Sequence, residues 1–107
     1  MAITDPLTGL LNRKGFDEQL KKVMQGDLHI HCVGIQMDID DFKFINDMYG
    51  HVVGDAALKS LAQDIQSYFN DNSIICRNGG DEFSAILVDT TEEEARKKIE
   101  QFTLQSR

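Results

Sequence analysis

The stretch Arg77-Asn78-Gly79-Gly80-Asp81-Glu82-Phe83 decides how this chain folds. Two adjacent glycines remove side chains where the backbone must turn tightly or let something large come close. The short apolar run Ser73-Ile74-Ile75-Cys76 lies ahead of them, and Phe83-Ser84-Ala85-Ile86-Leu87-Val88 follows. An apolar run, Asn-Gly-Gly and a second apolar run predict a β-hairpin. Its tip then carries the two acids Asp81 and Glu82. Surface loops are commonly acidic, so such a tip becomes a functional signal only with a partner elsewhere in the chain.

That partner lies upstream. From His29 to Ile39 the sequence is apolar enough on both faces to predict a buried central strand, with Ile30, Cys32, Val33, Ile35, Met37 and Ile39. Gly34 in its middle predicts close packing of another backbone. The strand runs into Asp38-Ile39-Asp40-Asp41-Phe42-Lys43, three acids within four residues. Asp38 is expected to be the best buried, because apolar residues flank it.

The remaining elements follow from periodicity and caps. Asp5-Pro6 predicts a short helix ending near Gly9. Asn12 caps a second helix, with Phe16, Leu20, Val23 and Met24 on one face and Gly26 at its end. A turn region runs to Gly54, and Asp55 to about Phe69 is helical, with Leu58, Leu61, Ala62, Ile65, Tyr68 and Phe69 on its apolar face. Asn70-Asp71-Asn72-Ser73 breaks it before the hairpin. Thr91 and Glu94 form a capping box for a last helix, with pairs Glu93–Lys97 and Glu94–Lys98 outside and Ala95, Ile99 and Phe102 inside. The order helix, helix, strand, helix, strand, strand, helix predicts an α+β sandwich, with helices on one side of a mainly antiparallel sheet.

Composition narrows the function. The 107 residues make one domain or part of one. A hydrophobic fraction of 41% suits a globular protein. Apolar stretches are far short of a membrane span and the N-terminus lacks a signal pattern, so the expectation is a soluble, cytoplasmic domain without membrane contact of its own, in a parent that could be membrane-anchored. The net charge of −7 argues against nucleic-acid binding. An acidic protein that binds a polyphosphate needs a metal ion to mediate. Cys32 and Cys76 sit in apolar runs and are expected to be reduced core residues.

Carboxylates that end a buried strand are costly unless compensated. If this strand pairs beside the hairpin, Asp38 and Asp81 come within metal-ligand distance, and an all-oxygen set suits Mg²⁺. An EF-hand fails, since Phe42, Lys43 and Tyr49 occupy its third ligand, glycine and closing-acid positions. No His/Cys zinc spacing exists. His29 and His31 alternate along a strand without further ligands, which fits a structural or surface role. No serine or cysteine nucleophile with an adjacent base stands out.

Gly79-Gly80-Asp81-Glu82-Phe83 resembles the signature of the GGDEF family of diguanylate cyclases. Asp5-Pro6-Leu7-Thr8-Gly9-Leu10-Leu11-Asn12-Arg13 is similar to that family's N-terminal motif. Asp38 to Asp47, with Tyr49-Gly50-His51 and Gly54-Asp55, is similar to its central motif. Three motifs in the right order span nearly the whole chain. The resemblance implies a nucleotide-cyclase-like, ferredoxin-like sandwich and the condensation of two GTP into cyclic di-GMP and pyrophosphate. It implies that Asp38, the Ile39 carbonyl and Asp81 hold Mg²⁺ or Mn²⁺. Asp81 is the implied proton acceptor from the ribose 3′-hydroxyl, with Glu82 beside it as a further metal or base candidate. Asn46 and Asp55 would read guanine, with His51 nearby. The backbone around Asp41, Phe42 and Lys43 would cradle phosphates, with charge from Lys43, while Gly79 and Gly80 leave room for nucleotide. Each domain would hold one GTP, so a second GGDEF domain is an implied partner.

Two departures from the family pattern stand out. An Arg-x-x-Asp product-inhibition site common in the family is matched here by Asn70 and Ser73, so no such site is expected. Family domains also continue into another strand and a helix bearing basic phosphate ligands. The expectation is therefore a single domain over 1–107 that is incomplete at its C-terminal end, with an apolar strand edge covered by self-association. The alternative to a cyclase is a catalytically inactive GGDEF-type module that binds GTP or a partner protein. A purely structural α+β domain is the third reading.

Overall fold

The computed structural model describes residues 2–26, 30–69 and 72–105. His29 and Asn70, to which sequence readings were attached, lie outside them. The chain forms α1 (Arg13–Gln25), β1 (Cys32–Asp38), α2 (Phe42–Tyr49), α3 (His51–Tyr68), β2 (Ser73–Gly79), β3 (Glu82–Val88) and α4 (Glu92–Gln105). The architecture is α+β, as expected, around an antiparallel three-stranded sheet of order β1-β3-β2.

The hairpin forms where the glycines predicted it. Arg77 pairs with Phe83 and Gly79 with Glu82, with an irregularity between Arg77 and Gly79. Gly80 and Asp81 make the two-residue turn, and φ is +145° at Gly79 and +52° at Gly80, conformations that favour glycine. β3 is therefore the central strand. β1 lies at the sheet edge, paired with β3 from Cys32↔Val88 to Asp38↔Glu82, which corrects the expectation of a buried central strand. Its residues alternate between half-buried and exposed, as an edge strand covered on one face does. Gly34 also departs from expectation. A Cβ there would meet only the Ile86 Cδ1, at an ordinary 3.5 Å, so no backbone crowds it.

Period-two alternation sorts the strands into two faces. Ile75, Phe83, Ala85 and Leu87 pack against Leu58, Ala62, Ile65 and Phe69 of the α3 segment and Ala95 of α4. Ile74 and Cys76 pack against Phe16 of α1, with Leu20, Val23 and Ile86 around them. Helices thus cover both faces rather than one, because β2 and β3 are apolar on both. Phe83 is fully buried directly behind the acidic turn. Truncating it to alanine would cost about 4 kcal/mol.

The caps follow the sequence closely. Asn12 Oδ1 accepts the Gly15 N–H at 2.9 Å, and Gly26 ends α1. Met24 is 54% exposed, however, and leaves the predicted stripe. Thr91 Oγ1 accepts from the Glu94 N–H at 3.2 Å, and the Thr91 N–H donates to Glu94 Oε1 at 3.1 Å. Lys97 and Glu93 approach to 3.9 Å, while the Glu94 carboxylate turns back to Thr91 rather than forward to Lys98. Tyr68, Phe69 and Phe102 meet at ring-centroid distances of 4.9 to 5.4 Å and seat α4 on α3.

Two segments differ from the sequence expectation. Asp5 to Gly9 is a single turn, not a helix. The Asp5 carboxylate accepts from the Thr8 N–H and hydroxyl at 2.9 and 2.7 Å, and Gly9 leaves the turn at φ +76°. One turn that bonds its own capping acid and ends in a glycine has nothing to propagate. Conversely, the region expected to be a turn as far as Gly54 holds all of α2 and the first turn of α3. Gly50, at φ +86°, is the corner between them.

Candidate active site

Backbone pairing brings the two acidic motifs together. Asp38 stands directly opposite Glu82 in the β1–β3 register, and Asp81 occupies the adjoining turn. Ile39 follows Asp38 immediately, so its carbonyl lies at the same end of the sheet. Asp38 and Glu82 are exposed and Asp81 is half-buried. The expected burial of Asp38 is corrected: at an edge strand the alternation that turns Met37 to the core leaves Asp38 in solvent. No desolvation penalty therefore has to be offset there.

The segment after β1 sets the second half of the site. Asp41 adopts the left-handed conformation (φ 58°, ψ 31°) as the N-cap of α2 and makes no side-chain cap bond. No acid occupies the first turn of α2, so the amides around Phe42 and Lys43 are open to an anion at the positive end of the helix. Lys43 is exposed beside them and Phe42 half-buried.

One turn further, Asn46 lies against the corner of α2 and α3. A Cβ on Gly54 would collide with its side-chain amide, so the close approach of Asn46 requires glycine at 54. Asn46 Oδ1 is buried with no hydrogen-bond partner, a state native proteins seldom leave without a reason. Asp55 follows Gly54, exposed on the first turns of α3, and His51 opens that helix, also exposed. The fold thus gathers Asn46, Gly54 and Asp55 at one corner. The sheet gathers Asp38, Ile39, Asp81 and Glu82 at another. A cleft of about 710 Å³ between β1, α3 and α4 borders the acidic end through Asp38, Ile39 and Asp40.

Among the described residues, no group of three or more His, Cys, Asp or Glu side chains converges as a metal cage. Two carboxylates and a backbone carbonyl nevertheless fit Mg²⁺ or Mn²⁺. Such ions take oxygen ligands, keep several waters and use substrate phosphates to complete their shell. Cys32 and Cys76 are both free, and Cys76 is fully buried.

Sequence reading missed two residues that hold the acidic turn. Arg77 Nε donates to the Gly80 carbonyl at 2.9 Å, and its Nη1 donates to Asp5 Oδ1 at 3.0 Å. The Arg77 and Asp5 side chains are only 15% and 13% exposed. Desolvation pushes the Asp5 carboxyl up, but the bonds from Thr8 and the charge and hydrogen bond of Arg77 outweigh it and hold it below its ordinary value. An arginine just ahead of an acidic glycine turn was a visible signal. Its partner, 72 residues away, was not.

This α+β unit therefore has a glycine-acid hairpin turn facing the acidic end of an edge strand. Known proteins share its sequence pattern and fold. Residues 2–105 match the family described as "Diguanylate cyclase, GGDEF domain". The chain is 39% identical over 105 residues to the diguanylate cyclase DgcP of Pseudomonas aeruginosa, covering 92% of this chain and 15% of that protein. It is 41% identical over 88 residues to the cyclic di-GMP phosphodiesterase PdeB of Shewanella oneidensis, covering 81% of this chain and 10% of that protein. The crystal structure of the GGDEF domain of DgcB from Caulobacter crescentus, in complex with c-di-GMP, superposes with a TM-score of 0.87 at 31% identity. That match covers all of this chain and 65% of the other. The chain belongs to the GGDEF domain family. It spans only a small part of such curated relatives, 15% of DgcP and 10% of PdeB. Among the described residues, no helix is long and apolar enough to cross a membrane.

Proposed function

We propose that this domain is a diguanylate cyclase that condenses two GTP into cyclic di-GMP with release of pyrophosphate, working opposite a second such domain. The observation that carries this reading is the register that sets Asp38 across from Glu82 beside the Asp81 turn. Asp38, the Ile39 carbonyl and Asp81 would hold Mg²⁺ or Mn²⁺. When bound, the ion neutralises charge that develops on the attacked phosphate. Asp81 accepts the proton of the ribose 3′-hydroxyl, with Glu82 beside it as the second acid of the turn.

The rest of the site binds and orients. The open amides at Asp41, Phe42 and Lys43 receive phosphate oxygens, and the Lys43 ammonium adds charge. Asn46 and Asp55, with His51 nearby, read the guanine edge, because an amide and a carboxylate together match its oxygen and N–H groups and adenine lacks that pattern. The orphaned Asn46 amide oxygen supports this role. Gly79 and Gly80, where a Cβ would meet nothing within 4 Å, leave open space for nucleotide along the turn. One domain positions one GTP, so joining two requires two domains.

The similarity to a phosphodiesterase, PdeB, supports a second reading, in which the domain binds GTP or a partner protein and regulates without catalysis. Incubation with GTP and Mg²⁺, followed by chromatography, separates the two. Cyclic di-GMP from the native chain and none from Asp81→Ala is expected for the cyclase. GTP retained without product from either identifies the module.

A further inference from the structure

The base of the acidic turn is held by the Gly79–Glu82 pairing and by Asn78 Nδ2, which donates to Ser84 Oγ at 2.7 Å, but Gly80 and Asp81 at its tip have little packing of their own. Gly79 and Gly80 add no side chains, and a Cβ at either would meet no atom within 4 Å, so the tip projects clear of the packed core. Glycine pairs are also the most conformationally free segments a chain can have. A reaction that depends on the placement of Asp81 and Glu82 needs something to fix that loop.

We infer that Arg77 and Asp5 are positioning residues for the acidic turn, and that they make its geometry depend on how the N-terminal segment is seated. The guanidinium is a rigid fork. One arm, Nε–H, bonds the Gly80 carbonyl inside the turn, and the other, Nη1–H, bonds the Asp5 carboxylate. Asp5 is itself held by Thr8 through the second carboxylate oxygen, so it cannot swing to follow Arg77. A backbone tie runs alongside: the Arg77 N–H donates to the Leu11 carbonyl at 3.0 Å, and Leu11 forms a parallel bridge with Cys76. The N-terminal turn thus lies against β2 and reaches the turn through one side chain. Moving that segment withdraws the anchor of Arg77 and frees the Gly80 carbonyl, leaving the sheet intact. This gives the domain a place where a change at its N-terminal end lowers the chemical step without touching the guanine corner. As a role in turnover, the inference rests on the cyclase reading.

Arg77→Lys and Asp5→Asn in the full chain test it. Lysine keeps the cation but has no fork to span two acceptors; asparagine keeps the size but removes the charge. The first readout is backbone ¹⁵N relaxation with no nucleotide present. The order parameters of Gly80 and Asp81 are expected to fall from about 0.85 to below about 0.6 in both variants, with Ala85 and Leu87 unchanged. The second is kinetic: kcat should fall about ten- to hundredfold, while the GTP affinity measured without metal changes less than about threefold. The double variant should be no worse than Arg77→Lys alone, because Asp5 acts through Arg77. A turn as ordered in both variants as in the native chain overturns the inference, as do losses that multiply in the double variant. A native chain that makes no product overturns the cyclase reading instead, and the order parameters then decide the clamp by themselves.

Discussion

Asp38 and Glu82 face each other across the β1–β3 ladder, both exposed and both acidic, at the end of the sheet where the chain turns through Gly80 and Asp81. Like charges directly opposite on neighbouring strands repel and reduce stability. A structural design would not place them there. Asp38→Asn should therefore leave the fold intact or raise its stability by up to about 1 kcal/mol in metal-free buffer. The same change should lower cyclic di-GMP formation by at least about a hundredfold. Urea denaturation and product chromatography on one preparation give both numbers, and a destabilised variant would show the pair to be structural.

Gly54 predicts a loss confined to the Asn46–Asp55 corner, the proposed guanine site. A methyl group at 54 must push the Asn46 amide away, because the two cannot occupy the same space. Gly54→Ala should weaken GTP binding about tenfold, the value of one good hydrogen bond at roughly 1.4 kcal/mol. It should also cost about 2 kcal/mol of stability through overpacking between α2 and α3. Isothermal titration with GTP and with ATP checks this, since the variant should lose its preference for GTP.

The hairpin, α1 and α4 were legible because each carries its own punctuation: Gly79-Gly80, Asn12 and Gly26, and the Thr91/Glu94 box. The body of α3 was legible from its apolar period, though its first turn was not. α2 was not. It is only eight residues long, its exposed Phe44, Met48 and Tyr49 blur the stripe of Phe42 and Ile45, and no side chain caps it. Asp38 does lie beside the Asp81 turn, but not as the buried end of a central strand. Apolar neighbours suggested burial, but burial depends on which strand lies at the edge, and sheet order is not written in one strand. Asp5 caps a single turn rather than the expected helix, and its other oxygen, bound to Arg77, was invisible because only tertiary folding brings residues 5 and 77 together.

The Asp5–Arg77 pair carries a pH dependence. The folded state holds the Asp5 carboxyl below its ordinary value of 3.8, so folding favours the ionised form. The resulting stability is complete above that ordinary value and is lost as pH falls through the lower folded value. Asp5→Asn should cost about 1 kcal/mol at pH 7, the value of a charge-assisted hydrogen bond in a partly buried pair. The difference between native and variant chains should shrink only below about pH 4. Denaturation midpoints at pH 7, 5 and 3 test this, and a gap constant down to pH 3 would contradict it.

The two cysteines should differ in reactivity. Burial pushes the Cys76 thiol above its ordinary value, outweighing a backbone hydrogen bond from Ser84, and no surface of Cys76 is exposed. Cys32 is half-buried on the edge strand. Iodoacetamide at pH 8 should therefore label Cys32 first and reach Cys76 only at the rate of unfolding, which mass spectrometry of peptides resolves.

The proposed cyclase reaction requires the Asp38–Asp81 ends of two domains to meet around two GTP molecules. Its most direct test is the rate of cyclic di-GMP formation from GTP and Mg²⁺, followed by chromatography over a range of domain concentrations, for the native chain and Asp81→Ala. Product is expected from the native chain alone, with turnover per domain rising as concentration rises. Equal product from both chains, or none from the native chain at any concentration, would contradict it.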